Sequence, residues 1–112
     1  MSLRSALRRL PADRGTEIAV RDVLTLFRRH AGEPFSVSRI VETVHVSSVQ
    51  AEEILGVLKR SFVLDSDGDP PFYTYRTDRL LELEIEEFMR RAERHSGLLQ
   101  SNVEKFRRRQ GS

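Results

Sequence analysis

Three acidic side chains in alternation, Asp65, Asp67 and Asp69, open a stretch (DSDGDPP) with the spacing of the first ligands of a calcium loop. The chemistry would be a hard cation held by carboxylate oxygens, but the rest of the pattern fails. Pro70 stands where such a loop needs glycine, and Arg76 stands where a bidentate glutamate would close the shell. The stretch is therefore read as an acidic turn. His30, His45 and His95 fall on separate elements, and with no cysteine in the chain none has a partner at metal-ligand spacing. No serine or carboxylate sits in a nucleophile motif, and no glycine-rich phosphate loop is present. Catalysis needs groups held in a pocket, and so small a domain offers little room for one. The reading is of a non-enzyme that needs no cofactor.

Charge is the remaining chemistry. The chain has 112 residues, 38% hydrophobic and 32% charged, which suits one soluble, folded domain helped by oligomerisation. Its net charge of +2 is unevenly spread. Residues 1–30 carry a balance of +4, residues 31–80 one of −3, and residues 81–112 one of +1. The positive end holds Arg4, Arg8, Arg9 and Arg14, with no apolar run after the first three, so it does not read as a secretory signal. No apolar run approaches the roughly 20 residues of a membrane span. Without a disulfide framework, a cytoplasmic protein is the simplest expectation.

Periodicity supplies the elements. Ser2 to Leu10 has Leu3, Leu7 and Leu10 on one side and arginines on the other, a short amphipathic helix ended by Pro11. A helix is expected from about Thr16, as N-cap, to Ala31, with Gly32 as the residue after its cap. Ile18, Val20, Val23, Leu24 and Phe27 form its apolar face. A short helix from Ser38 to Thr43 turns Ile40, Val41 and Val44 inward. After a turn at Val44 to Val46, Ser47 caps a helix running to about Arg60, and Gln50 is placed to complete a capping box. Ile54, Leu55 and Leu58 make its buried stripe. Two strands follow, Phe62-Val63-Leu64 and Phe72 to Tyr75, joined by the acidic turn. Asp78 caps a long final helix to about Arg108. Leu81, Ile85, Phe88, Ala92, Leu99 and Phe106, with His95 and Asn102 between, repeat in alternating steps of four and three, a coiled-coil seam interrupted at Gly97. His95 and Asn102 either fix the register of that seam or mark its end beyond Ala92. Arg107 to Arg109 read as a solvated tail.

The order helix, helix, tight turn, helix, hairpin, carried by Phe35 to Leu64 (FSVSRIVETVHVSSVQAEEILGVLKRSFVL), resembles the winged helix-turn-helix superfamily. Ile40-Val41 match the apolar pair that closes the first helix of the motif, Val46-Ser47 the opening of the recognition helix, and Leu55 and Leu58 the leucines that seat it. The chain departs from the pattern at His45 and Phe62, where the superfamily usually has glycine. The final helix looks like the dimerising helix of small bacterial winged-helix repressors. The resemblance implies a mainly α fold with a small β-hairpin (α+β). Its parts are a basic arm over residues 1–15, the winged domain over 16–78 and a dimerisation helix and tail over 79–112. It also implies a transcriptional regulator that binds double-stranded DNA as a homodimer through the seam residues. Ser47, Ser48 and Gln50, with Glu52 and Glu53, would then face DNA. Ser47 and Ser48 suit a phosphate at a helix N-terminus, and Gln50 an adenine edge. Lys59, Arg60, Arg76 and Arg79 would offset the acidic wing, and Arg4, Arg8 and Arg9 would add charge if the arm reaches the groove. The alternative is a protein-binding module whose acidic recognition helix and wing meet a basic partner.

Overall fold

The N-terminal segment is the first test of the amphipathic reading, and it folds as part of the domain. The structure, a computed structural model, describes residues 3–93. Helix α1 (Leu3–Leu7) buries Leu3 and Ala6 and packs on the helix Ser48–Arg60, with Leu10 also buried just beyond it. Helix α2 (Arg14–Arg29) is capped by Asp13 rather than by Thr16. The Asp13 carboxylate accepts the Thr16 amide at 2.8 Å and the Thr16 hydroxyl at 3.0 Å, so the helix starts earlier than its apolar pattern suggests. Ala19, Val20, Val23, Leu24 and Phe27 are buried along it, whereas Ile18 is only half-buried. It ends at Arg29, short of the expected Ala31, and Gly32 takes a positive φ of 86° in the turn that follows.

Strand β1 (Phe35–Ser36) carries no signal of its own in the sequence. Two residues are too few for a period-2 pattern, and the pairing is made only when β3 is brought alongside. Ser36 then caps α3 (Val37–Val44) by accepting the Arg39 amide. Ile40 is fully buried while Val41 and Val44 are half-buried. Helix α4 (Ser48–Arg60) starts at Ser47 as expected, whose hydroxyl accepts the Gln50 amide at 3.1 Å. Strands β2 (Leu64–Asp67) and β3 (Phe72–Tyr75) form the hairpin, and β1 pairs with the far edge of β3, all antiparallel, in the order β1-β3-β2. This is the winged helix-turn-helix, and the mainly α, α+β class expected from the sequence is the one found. The first hairpin strand lies two residues later than expected, because Phe62 and Val63 are used to end α4.

That ending explains both departures from the superfamily pattern. His45, after α3, has φ 61°, and Phe62, after α4, has φ 65°. Both are in the left-handed region that glycine occupies at no steric cost. At α4 the Val63 amide reaches the Leu58 carbonyl (3.0 Å) and the Phe62 amide the Lys59 carbonyl (3.1 Å), the paired bonds of a Schellman cap. Leu58 and Val63, both fully buried, supply the apolar contact that accompanies it. The fold thus demands a glycine conformation at two places where the sequence offers a side chain.

The last helix, α5, is described over 79–93. Asp78 caps it by accepting the Leu81 amide at 2.8 Å. Ile85 and Met89 join the chain's own core, Ala92 is also buried, and Leu81 and Phe88 are half-buried against that core. Leu99 and Phe106, with His95, Gly97, Asn102 and Arg107 to Arg109, lie outside the described residues.

Phe62→Gly should therefore stabilise the domain by about 1 kcal/mol, the cost of a left-handed non-glycine residue, raising the thermal midpoint by several degrees. Phe62→Ala keeps the Cβ and should not. Thermal unfolding of both variants by circular dichroism separates the backbone from the exposed ring; an equal gain in the two would rule out the backbone explanation.

Candidate nucleic-acid interface

Which side of α4 is available follows from which side is buried. Ala51, Ile54, Leu55, Val57 and Leu58 face the core. At 100° per residue this leaves Ser48, Val49, Glu52, Glu53, Lys59 and Arg60 exposed on the other side, around the half-buried Gly56. Val49, which the sequence reading passes over, is 65% exposed near the tip of this face. Gln50 is half-buried and lies about 120° around the helix from Gly56, on the flank of the face expected to read bases. Among the described residues its side chain makes no return bond to Ser47, so the capping box is half formed.

Lys59 and Arg60 end α4 exposed, beside its negative pole. Phe62 follows immediately and is 70% exposed. On the wing, register places Asp65 opposite Thr74 and Asp67 opposite Phe72, so these four share the outer face while Tyr73 and Tyr75 point to the core. Arg76 spends its guanidinium on Asp65, at 3.1 Å, with both groups exposed. Asp67 and Asp69 remain exposed at the hairpin tip, and Arg79 is exposed at the start of α5.

The N-terminal arginines are divided by the fold. Arg9, with Leu10 and Pro11, walls a cleft of about 470 Å³ against Glu52, Glu53, Gly56 and Arg60 of α4. Arg4 and Arg8 instead line a second cleft toward α2 and α5. Arg9 and Arg60 are thus brought to one edge of α4, and Arg4 and Arg8 are not. Of the residues expected on a dimer seam, Ile85 is turned into the chain's own core, Ala92 is buried outside that cluster, and Leu81 and Phe88 are partly covered, while Leu80 and Leu83, which were not among them, stand out to solvent.

Two polar clusters set the frame, and sequence reasoning missed both. Glu33 bridges His30 (3.2 Å) and Arg39 (3.1 Å), and Arg39 lies over the Phe35 ring at 4.4 Å, fastening the α2–α3 corner. At the base of the wing Glu82 of α5 accepts from the Tyr75 hydroxyl and from Thr77 Oγ1 (2.6 Å), with Arg28 of α2 at 3.6 Å. Partial burial, then the Glu82 bond, pushes the Tyr75 phenol up to about 12, so it stays a donor at neutral pH. Burial alone would raise the Glu82 carboxyl; the Thr77 and Tyr75 hydrogen bonds and the Arg28 charge outweigh it and hold the group below its ordinary value. A glutamate seven residues past a strand-end tyrosine has no signature that would reveal this.

No family model matches the chain, and no curated protein matches it. Among solved structures the chain is similar to a MarR family protein from Bacillus stearothermophilus, with 11% sequence identity, 98% of this chain and 83% of that one covered, and a TM-score of 0.44. At that TM-score the likeness adds nothing about the site, and the winged-helix assignment stands on element order and sheet topology. Among the described residues no helix is long and apolar enough to cross a membrane.

Because the folded Glu82 is held below its unfolded value, the clamp contributes fully above the ordinary glutamate pKa of about 4.3, and its contribution is lost as pH falls through the lowered folded value. Glu82→Gln should cost on the order of 1 kcal/mol at neutral pH, with the gap to wild type closing toward pH 3. Urea unfolding at both pH values measures it; a gap independent of pH would remove the carboxylate from the account.

Proposed function

We propose that this chain is a dimeric winged-helix protein that binds double-stranded DNA through α4 and regulates transcription in the cytoplasm. The observation that supports this reading best is the position of Arg9, beside Arg60 at the rim of the outward face of α4. The winged motif alone is acidic, and affinity for DNA comes largely from neutralising phosphates. A basic segment folded against the recognition helix supplies what the motif lacks. In this arrangement Arg9, Lys59 and Arg60 meet phosphates at the C-terminal end of α4, and Ser47 and Ser48 meet one at its N-terminal end. Val49 is placed for a thymine methyl and Glu52 for a cytosine amino group. Arg79 adds charge at the wing base, Arg76 is already engaged by Asp65, and Gln50 stands at the flank.

A second reading is favoured by a different observation. Val49 and Phe62 put exposed apolar groups at the two ends of a face that carries Glu52 and Glu53. That combination suits a basic protein partner with apolar anchors. Fluorescence anisotropy with random duplex DNA at two salt concentrations decides between them. Under the first reading, binding weakens steeply with salt, and the pair Arg9→Glu, Arg60→Glu lowers the salt slope by about two, one for each phosphate contact. No binding at low salt would overturn it and leave the protein-partner reading.

For the dimer, the side of α5 still open is the one carrying Leu80 (74% exposed) and Leu83 (55% exposed). Leu80→Glu with Leu83→Glu should convert the full chain to a monomer in sedimentation analysis without unfolding it. A dimer unchanged by this pair would place the contact elsewhere.

A further inference from the structure

The outward face of α4 holds a glycine that the chain's own packing does not require. Gly56 lies in mid-helix, opposite the buried stripe, without the positive φ that calls for glycine at Gly32 and Gly68. A Cβ built on it would meet nothing within 4 Å. It also lines the cleft of about 470 Å³ between α4 and residues 9–11, so space is open in front of it. Alanine would therefore fit, and alanine is the more stable residue inside a helix. Bare backbone at an open position suits a close approach from outside. The charges around it say what approaches. Glu52 and Glu53 lie four and three residues before Gly56, and Lys59 and Arg60 three and four after it, all exposed. At 100° per residue Glu52 and Lys59 share one flank of the face, and Glu53 and Arg60 share the other. Val49 and Phe62 add an exposed apolar group at either end.

We propose that this face pairs with the same face of a second copy of the chain, the two α4 helices running antiparallel and crossing at Gly56. In a twofold contact, if one residue meets a second, the second meets the first in return. Reversing the helix about Gly56 brings Glu52 to the partner's Lys59 and Glu53 to the partner's Arg60, each on its own flank, and Val49 to the partner's Phe62. Every acid then meets a base, and the two backbones approach where neither has a side chain. Parallel helices in register would set acid against acid. Duplex DNA is matched by the basic half of the face alone, and a uniformly basic partner by the acidic half alone; a second copy matches both halves. Exposed ion pairs are individually weak, so this pairing belongs to concentrated protein at low salt and leaves the dilute chain to the contact on α5. It covers the face that the DNA reading uses, so α4 serves one partner at a time, but it does not rest on that reading.

The chain has no cysteine, so an introduced one reports its own neighbour. Full chains carrying Val49→Cys are mixed with full chains carrying Phe62→Cys and oxidised at low salt. In the antiparallel pair these two positions meet, whereas identical positions lie about 20 Å apart, beyond the reach of a disulfide. The mixed disulfide dimer should form at least about tenfold faster than either chain's own, a preference that about 0.5 M salt removes. Lys59→Glu with Arg60→Glu in both chains should abolish the preference, and pairing that face with a chain carrying Glu52→Lys and Glu53→Lys should restore it. These side chains are exposed, so folding is not at stake. Gly56→Ala should raise the thermal midpoint by a few degrees yet slow the mixed dimer by about fivefold. Equal rates for mixed and identical chains, a preference that survives salt, no rescue by the reversed chain, or Gly56→Ala cross-linking at the parent rate would each overturn the proposal.

Discussion

Ala51, Ile54, Leu55, Val57 and Leu58 fix the rotation of α4, and with it everything the protein can present on that helix. Burying an aliphatic side chain of this kind contributes about 1.5–3 kcal/mol, so turning the helix to expose a different face would forfeit several such contributions at once. Val57 is the least expected member, since it lies toward the flank rather than the centre of the stripe. Its burial accompanies α1, whose Leu3 and Ala6 are themselves buried in packing on α4. The N-terminal segment is therefore part of the core that orients α4, and its arginines are positioned by that packing rather than by a free arm.

The same packing explains the charge pattern. Taken alone, the winged motif is acidic along its hairpin, and its outward helix face sets Glu52 and Glu53 against Lys59 and Arg60. The fold meets this in two ways. Arg76 crosses to Asp65 at the root of the hairpin, an exposed pair of small energetic worth that nonetheless occupies the nearest cation. Arg9 is brought beside α4 by Leu10 and Pro11, which wall both clefts at once and so lie between α4 and the cleft toward α2 and α5.

Helix α5 is tied to the winged domain by apolar and polar contacts. Ile85 and Met89 enter the core, and Glu82 gathers Tyr75, Thr77 and Arg28 from β3, the connector after it and α2. Glu84 also accepts the Leu3 amide at 2.8 Å, joining the two ends of the described chain. A helix held by both kinds of contact has its inner side committed. Among its described residues, the outer side with Leu80 and Leu83 is left to meet another molecule.

The sequence by itself determined the elements and their caps wherever the signal is local. Ser47 and Asp78 cap the helices they were expected to cap, β3 spans its expected residues, and the glycine-like positions at His45 and Phe62 are those at which the backbone turns left-handed. These follow from side chains acting within a few residues of themselves. Tertiary structure decided what depends on distant partners. It made Phe35–Ser36 a strand by laying it on β3, and moved the start of β2 past a Schellman cap. It also turned Ile85 inward from a seam whose periodicity suits a second chain as well as the chain's own core. A heptad records that one side of a helix is apolar, but not what covers it. For the same reason the sequence could count the arginines, but only packing could separate Arg9, beside α4, from Arg4, Arg8 and Arg91 around the cleft.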